Sequence, residues 1–186
     1  MISNEVKTGL RIEFDHSEGD SRSWDNLTRM VCFHNRYKLG DDHDYNKGDY
    51  NSFAELKEAI ENNENVLLIK PLYMYEHSGV TISTEPFSCN FDSGQIGWVY
   101  ITKETQELTG APMDTLDRQL LGEVETYDQE LRNDVYSFTC YKDDKFVDSC
   151  SGFYGINLKE NGMLDHIPDE FIKLLEDNNV TEVEVD

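Results

Sequence analysis

The 186-residue chain has no long hydrophobic run: nowhere do about 18 uncharged apolar residues follow one another, as a membrane-spanning helix would need. Its opening segment, MISNEVKTGLRIEFDHSEGD, has no apolar core of a signal peptide. Both absences predict a cytoplasmic protein with no membrane partner. Basic residues are scarce, 16 Lys and Arg against 38 Asp and Glu, leaving a formal charge of −22. Such a surface repels nucleic acid and anionic lipid, so direct nucleic-acid binding is excluded as an expectation. Cysteine is limited to Cys32, Cys89, Cys140 and Cys150, with no C-x-x-C pair, so reduced thiols are expected and a structural zinc site is not. There is no internal repeat and no low-complexity linker, which predicts a single domain over residues 1–186.

What is present is a chain long enough to bury a core, with 11% aromatic residues. The acidic excess leans towards the C-terminal half: residues 1–93 hold 17 acids against 9 bases, and residues 94–186 hold 21 against 7. The acids are interleaved with apolar residues rather than massed in a block, so the charge belongs to a folded surface. That surface attracts basic partners and steers them in at low salt.

The periodicities predict α+β architecture: one domain, a mostly antiparallel sheet and about three packed helices. TGLRIEFD (residues 8–15) reads as a strand followed by the polar loop HSEGDSRS, and WDNLTRMVCFHNRYKLG (residues 24–40) leans to helix. NSFAELKEAIENN is a helix with a Ser52/Glu55 capping box. NVLLIKPLYMYE reads as a strand interrupted at Pro71, and VTIST and QIGWVYIT as further strands. Val66–Ile69 and Ile96–Ile101 are apolar on both faces, as in central strands covered from each side. DTLDRQLLGEVETYDQEL (residues 114–131) is an amphipathic helix with Leu116, Leu120, Val124, Tyr127 and Leu131 on one stripe. Asp114, Asp117, Glu125 and Asp128 fall on an adjoining acidic arc. DVYSFTCY and KFVDSCSG form a predicted hairpin through Asp143-Asp144, with Tyr136, Phe138, Cys140 and Val147 inward and Asp148 and Cys150 outward. IPDEFIKLLEDNN is a last helix with Pro168 in its first turn, and VTEVEVD can add an edge strand.

Three Ser-Gly pairs carry chemistry-bearing neighbours: His77-Ser78-Gly79, Asp92-Ser93-Gly94 and Cys150-Ser151-Gly152. A catalytic constellation would take His77 as base, Cys89 or Cys150 as nucleophile and Asp92 as the residue orienting the imidazole. The competing reading is β-turns, which Gly, Asp and Ser make for local backbone reasons, and it is favoured because no nucleophile elbow or phosphate loop surrounds them. FHNRYKLGDDHD offers His34, Asp41, Asp42, His43 and Asp44 as an alternative metal site. Their spacing matches no zinc or EF-hand pattern, and a solvated loop is the favoured reading, with no cofactor expected.

WDNLTRMVCFHNRYKLGD, YEHSGVTISTEPFSCNFDSGQIGWVYIT and DVYSFTCYKDDKFVDSCSGFYG resemble an uncharacterised family of small acidic phage and mobile-element proteins, over roughly residues 24–160. The resemblance implies a phage or mobile-element setting in a bacterial host cell and transfers no catalytic residue. Charge and setting together predict an anti-defence protein that inhibits a host nucleic-acid enzyme, such as a restriction or CRISPR nuclease. The acidic arc of residues 114–128 would mimic nucleic acid for that basic host partner. The alternatives are a small hydrolase or nuclease using residues 77–95, and a non-catalytic protein-interaction module.

Overall fold

The computed structural model of the chain describes residues 8–15, 20–89 and 91–177; the predicted VTEVEVD strand lies outside them. The elements in chain order are β1 (Thr8–Phe14), β2 (Arg29–Cys32), α1 (Phe53–Asn63), β3 (Val66–Glu76), β4 (Val80–Ser83) and β5 (Ser93–Thr102). They continue with α2 (Lys103–Thr109), α3 (Leu116–Leu131), β6 (Val135–Lys142), β7 (Lys145–Tyr154) and α4 (Asp169–Asp177). Among the described residues all strand pairing is antiparallel, in two sheets ordered β1-β6-β7 and β2-β5-β3-β4. The α+β class is therefore as expected. Within it the chain gathers into two compact units, Asp20–Arg132 and the flanking residues on either side of that segment. The first is an insertion between β1 and β6, which pair from Thr8↔Lys142 to Phe14↔Tyr136.

In the 20–132 unit β5 is a central strand covered on both faces. Ile96, Val99 and Ile101 pack with Met30, Leu72 and Met74 beneath Leu116, Leu120 and Val124 of α3. Trp98 and Tyr100 join Val31 on the other side, beneath Leu56 and Ile60 of α1. This double coverage explains the apolar run read from Ile96 to Ile101. Gly97 is what lets β2 approach: a Cβ there would stand 1.9 Å from the Val31 carbonyl oxygen. α1 begins as the capping signal required, with Ser52 accepting from the Glu55 amide at 3.2 Å.

Three expectations change. The 24–40 stretch is not a helix: it contains β2, whose Met30, Val31 and Cys32 are buried consecutively, a demand met by a strand between two cores. Pro71 does not interrupt β3, because β4 joins only from Tyr73 onwards and the stretch through Pro71 has β5 on one side alone. The short helix α2 was not anticipated; its signals are a Thr102/Thr105 capping box and Gly110 at φ +68° closing it.

In the flanking unit, Asp143 and Asp144 turn the β6–β7 hairpin with φ of +50° and +59°, the two-residue geometry that matches strand twist. Tyr136, Phe138 and Cys140 are buried with Phe171 and Leu175 of α4, whereas Val147 is exposed. Cys150 pairs with Phe138 and packs at the edge of that core, and Asp148 pairs with Cys140, so neither lies on the opposite face. Register shifts at Tyr136/Phe138 and Cys140/Tyr141 break the period of two on which the sequence reading relied. Pro168 immediately precedes α4.

The polar tie in the 20–132 unit is Arg22, whose side chain is only 6% exposed. Its Nε and Nη2 donate to the two Asp41 oxygens at 2.8 and 2.9 Å, and Nη2 also reaches the Thr28 carbonyl at 2.9 Å. Asp41 in turn accepts from the Met30 amide. From α3, Glu123 accepts from the Leu27 and Thr28 amides and the Thr28 hydroxyl, with its Oε2 3.7 Å from Arg22. Removing one member of such a pair strands the other charges out of water. Arg22→Ala is expected to cost roughly 3–5 kcal/mol in urea unfolding, and Arg22→Lys to recover little of it because an ammonium cannot make the forked contact.

Candidate functional site

The acidic helix α3 divides its carboxylates between two tasks. Leu116, Leu120, Val124 and Tyr127 are buried, as the stripe required. Glu123 and Glu130 turn inward: Glu130 accepts from the Ser21 amide at 2.8 Å, beside the Glu123 contacts already described. Asp128, assigned from the sequence to the exposed arc, is also structural. Its Oδ1 accepts from the Ile82 amide at 2.7 Å and from the Thr81 hydroxyl, and its Oδ2 from Arg132, leaving the side chain 15% exposed. Asp117 and Glu125 remain at the surface, with Asp117 held by Lys70 at 2.8 Å; Asp114 is exposed too, but in the turn Met113–Thr115 that precedes α3 rather than on the helix itself. Asp128 therefore leaves the arc, because β4 needs an acceptor for an amide at that position.

His77, Cys89 and Asp92 do come together, from the end of β3, the loop after β4 and the residue before β5. Asp92 is the centre: its Oδ2 lies 3.8 Å from His77 Nδ1 and 3.7 Å from Cys89 Sγ. A nucleophile–base pair would instead put imidazole against sulfur, with the carboxylate behind the imidazole. The surroundings are open, with His77 68% exposed in its side chain. Around them are the backbone bonds of turns: His77 N–H to the Gly79 carbonyl, Glu76 N–H to the Asp92 carbonyl and the Ser93 hydroxyl to the Cys89 carbonyl. The ring of His77 stacks on Tyr75, which contacts Phe87.

The metal-ligand candidates are dispersed among other duties. Asp41 is bound to Arg22 and the Met30 amide, and Asp42 to Lys38 at 2.6 Å. His34 stacks on Tyr37 and accepts from the Arg36 and Tyr37 amides. His43 Nε2 lies 3.3 Å from the Cys32 carbonyl, and Asp44 is exposed. Among the described residues no three His, Cys, Asp or Glu side chains are grouped to hold a metal ion.

The same segment instead forms one wall of a cleft of about 1570 Å³ wholly within the 20–132 unit. Its walls come from residues 20–31 and 38–45, the end of α1, Tyr100 of β5, the last turn of α2 and the end of α3. Tyr45 and Tyr50 contact each other at 6.4 Å between ring centroids, and His43 contacts Tyr45 at 6.0 Å. Burial raises the phenol pKa of Tyr100 and of Tyr45, with the nearby Glu64 carboxylate adding to the rise in both. Sequence reasoning singled out residues 41–44, for a different chemistry, and missed the rest of the cleft, because Trp24, Tyr45, Glu64 and Tyr100 belong to four separate segments with no common motif.

No protein-family model, no curated protein and no solved structure matches the chain. Among the described residues no helix is long and apolar enough to cross a membrane.

The four cysteines stand as free thiols. Burial pushes the Cys32 thiol up to about 12 and the Cys140 thiol up to about 11, with carboxylates adding in each case. Native protein treated with iodoacetamide is expected to label at Cys89 and Cys150 and to spare Cys32 and Cys140, read by mass spectrometry. A thiol whose folded pKa is raised keeps its proton while the unfolded chain loses one, so folding stability falls as pH climbs above about 9. The fall is expected to approach about 1.4 kcal/mol per pH unit for each such thiol, and Cys32→Ala to flatten it. At the His77 cluster, Asp92→Asn is expected to cost about 1 kcal/mol or less in urea unfolding, as for a local hydrogen bond. Loss of a measurable hydrolytic activity with unchanged stability would contradict the turn assignment.

Proposed function

We propose that the chain is a binding protein for a basic partner, and that the partner is a host nucleic-acid enzyme inhibited in a phage or mobile-element setting. The observation that carries this reading is the division of labour on α3. Glu123, Asp128 and Glu130 fasten the helix to its surroundings through backbone amides, so Asp117 and Glu125 are displayed on a support that cannot roll. Eight residues of helix separate those two by about 12 Å at 1.5 Å per residue, roughly two phosphate steps. Carboxylates held at that spacing reproduce part of the charge pattern a nucleic-acid groove is built to take, without an ordering cost at binding. Lys70 neutralises part of Asp117, which makes Asp114 and Glu125 the stronger contributors. The setting comes from the acidic-protein resemblance in the sequence, and the basic class of partner from the charge of −22.

The test is inhibition of DNA cleavage by purified restriction and CRISPR nucleases, titrated with this protein at several salt concentrations. Inhibition is expected to weaken as salt rises and to compete with DNA. The triple variant Asp114→Asn, Asp117→Asn, Glu125→Gln is expected to weaken it and flatten its salt dependence with the fold intact. Absence of inhibition, and of retention of these enzymes on the immobilised protein at low ionic strength, would count against the reading.

A further inference from the structure

We infer that the cleft of the 20–132 unit is a docking groove for an Arg- or Lys-bearing segment of a partner protein, with Trp24 and Leu108 as apolar anchors at its rim. The inference rests on the reading that the partner is basic, and it locates a second contact away from the outer face of α3.

Charge is the first support. The cleft walls hold seven carboxylates against Arg22, Arg29 and Lys38. Arg22 is consumed by Asp41 and Lys38 by Asp42, and Glu130 is engaged by the Ser21 amide. Asp20, Asp25, Asp44 and Glu64 then face the groove with no ion-pair partner among the described residues. Only Arg29 remains to balance them, and it too has no ion-pair partner there; its guanidinium supplies donors for the main-chain carbonyls of an extended segment.

The walls supply the second support. Carboxylates beside the Tyr45 and Tyr50 rings make the surroundings that hold a guanidinium or ammonium, the rings through their π faces and the acids through charge-assisted hydrogen bonds. Burial is the main cause of the raised Tyr45 and Tyr100 phenols, and the Glu64 carboxylate adds to the rise in both.

The rim selects a macromolecule over a small polyamine. Trp24 is 53% exposed and Leu108 88% exposed, both at the cleft. A large aromatic and an aliphatic side chain flanked by carboxylates are the composition of a protein-recognition patch, with apolar anchors inside a polar border. A polyamine has no side chain to cover them.

The experiment is isothermal titration of the full chain with a synthetic peptide alternating Arg and Leu, with its Glu-for-Arg counterpart and with spermine. The Arg-Leu peptide is expected to bind and the Glu peptide not to. Asp25→Asn, Asp44→Asn, Glu64→Gln together should weaken the Arg-Leu peptide about tenfold or more, since several desolvated contacts are lost at once. Leu108→Ser, at a position too exposed to affect folding, should weaken the peptide several-fold and leave any spermine binding unchanged. The triple variant at Asp114, Asp117 and Glu125 should bind the peptide within about twofold of the parent protein, because none of those residues lines the cleft. Peptide binding lost in that variant but kept in the cleft variant would overturn the groove while leaving a basic partner in place. Spermine binding as tightly as the peptide, with Leu108→Ser without effect on either, would overturn the assignment to a protein segment. Failure of every basic probe to bind while nuclease inhibition persists would overturn the groove alone, and failure with inhibition also absent would remove the reading on which it rests.

Discussion

A single near-buried guanidinium organises the 20–132 unit. Arg22 reaches Asp41 through a forked contact from Nε and Nη2 and the Thr28 carbonyl through Nη2 as well, and Glu123 of α3 lies against the same guanidinium. An arginine taken out of water is tolerable only with its donors used, and an acidic protein has acceptors in surplus. The group fixes the path of residues 20–41, a stretch with little regular structure of its own beyond β2, and sets it against α3. Both the wall of the cleft and the exposure of the outer α3 acids follow from that placement.

Excess acid in this chain is therefore not one property. Some carboxylates are acceptors for backbone amides that no ladder satisfies: Glu123 for Leu27 and Thr28, Glu130 for Ser21, and Asp128 for Ile82. They do the work that a side-chain cap does at a helix end, at positions where loops and an edge strand meet a helix. Others, such as Glu125 and Asp44, stand at the surface with no ion-pair partner among the described residues. The first group makes the unit rigid, and the second gives it the negative field that a basic partner would meet. Asp128 and Glu125 are three residues apart on one helix and belong to different groups.

Much of the architecture was legible in the sequence because it rests on local periodicity. The buried stripe of α3, the capping of α1 and the two-residue turn at Asp143-Asp144 each follow from residues within one or two turns of chain. The errors have a common cause in partners distant along the chain. The β2 stretch reads as helix because the cores on its two faces come from α1 and α3, distant along the chain, and the period of two misplaces Val147 and Cys150 because bulges in β6–β7 shift the register without leaving a mark in composition. The insertion of the 20–132 unit between β1 and β6 was equally silent, since pairing of Thr8 with Lys142 needs no Pro- or Gly-rich linker where the chain crosses between units.

The candidate site divides along the same line. Sequence by itself determined the charge of −22, the exposed carboxylates at 114, 117 and 125 and the presence of reactive residue types at 77, 89 and 92, because these depend on identity and on spacing along one element. Only the tertiary structure decided that Asp128 is a structural acceptor and that Asp92 sits between His77 and Cys89 rather than behind the imidazole. It alone gathered Trp24, Tyr45, Glu64, Tyr100 and Leu108 around one cleft. Side chains from separate elements share a site only through packing, and packing is a property of the whole fold that no local pattern encodes.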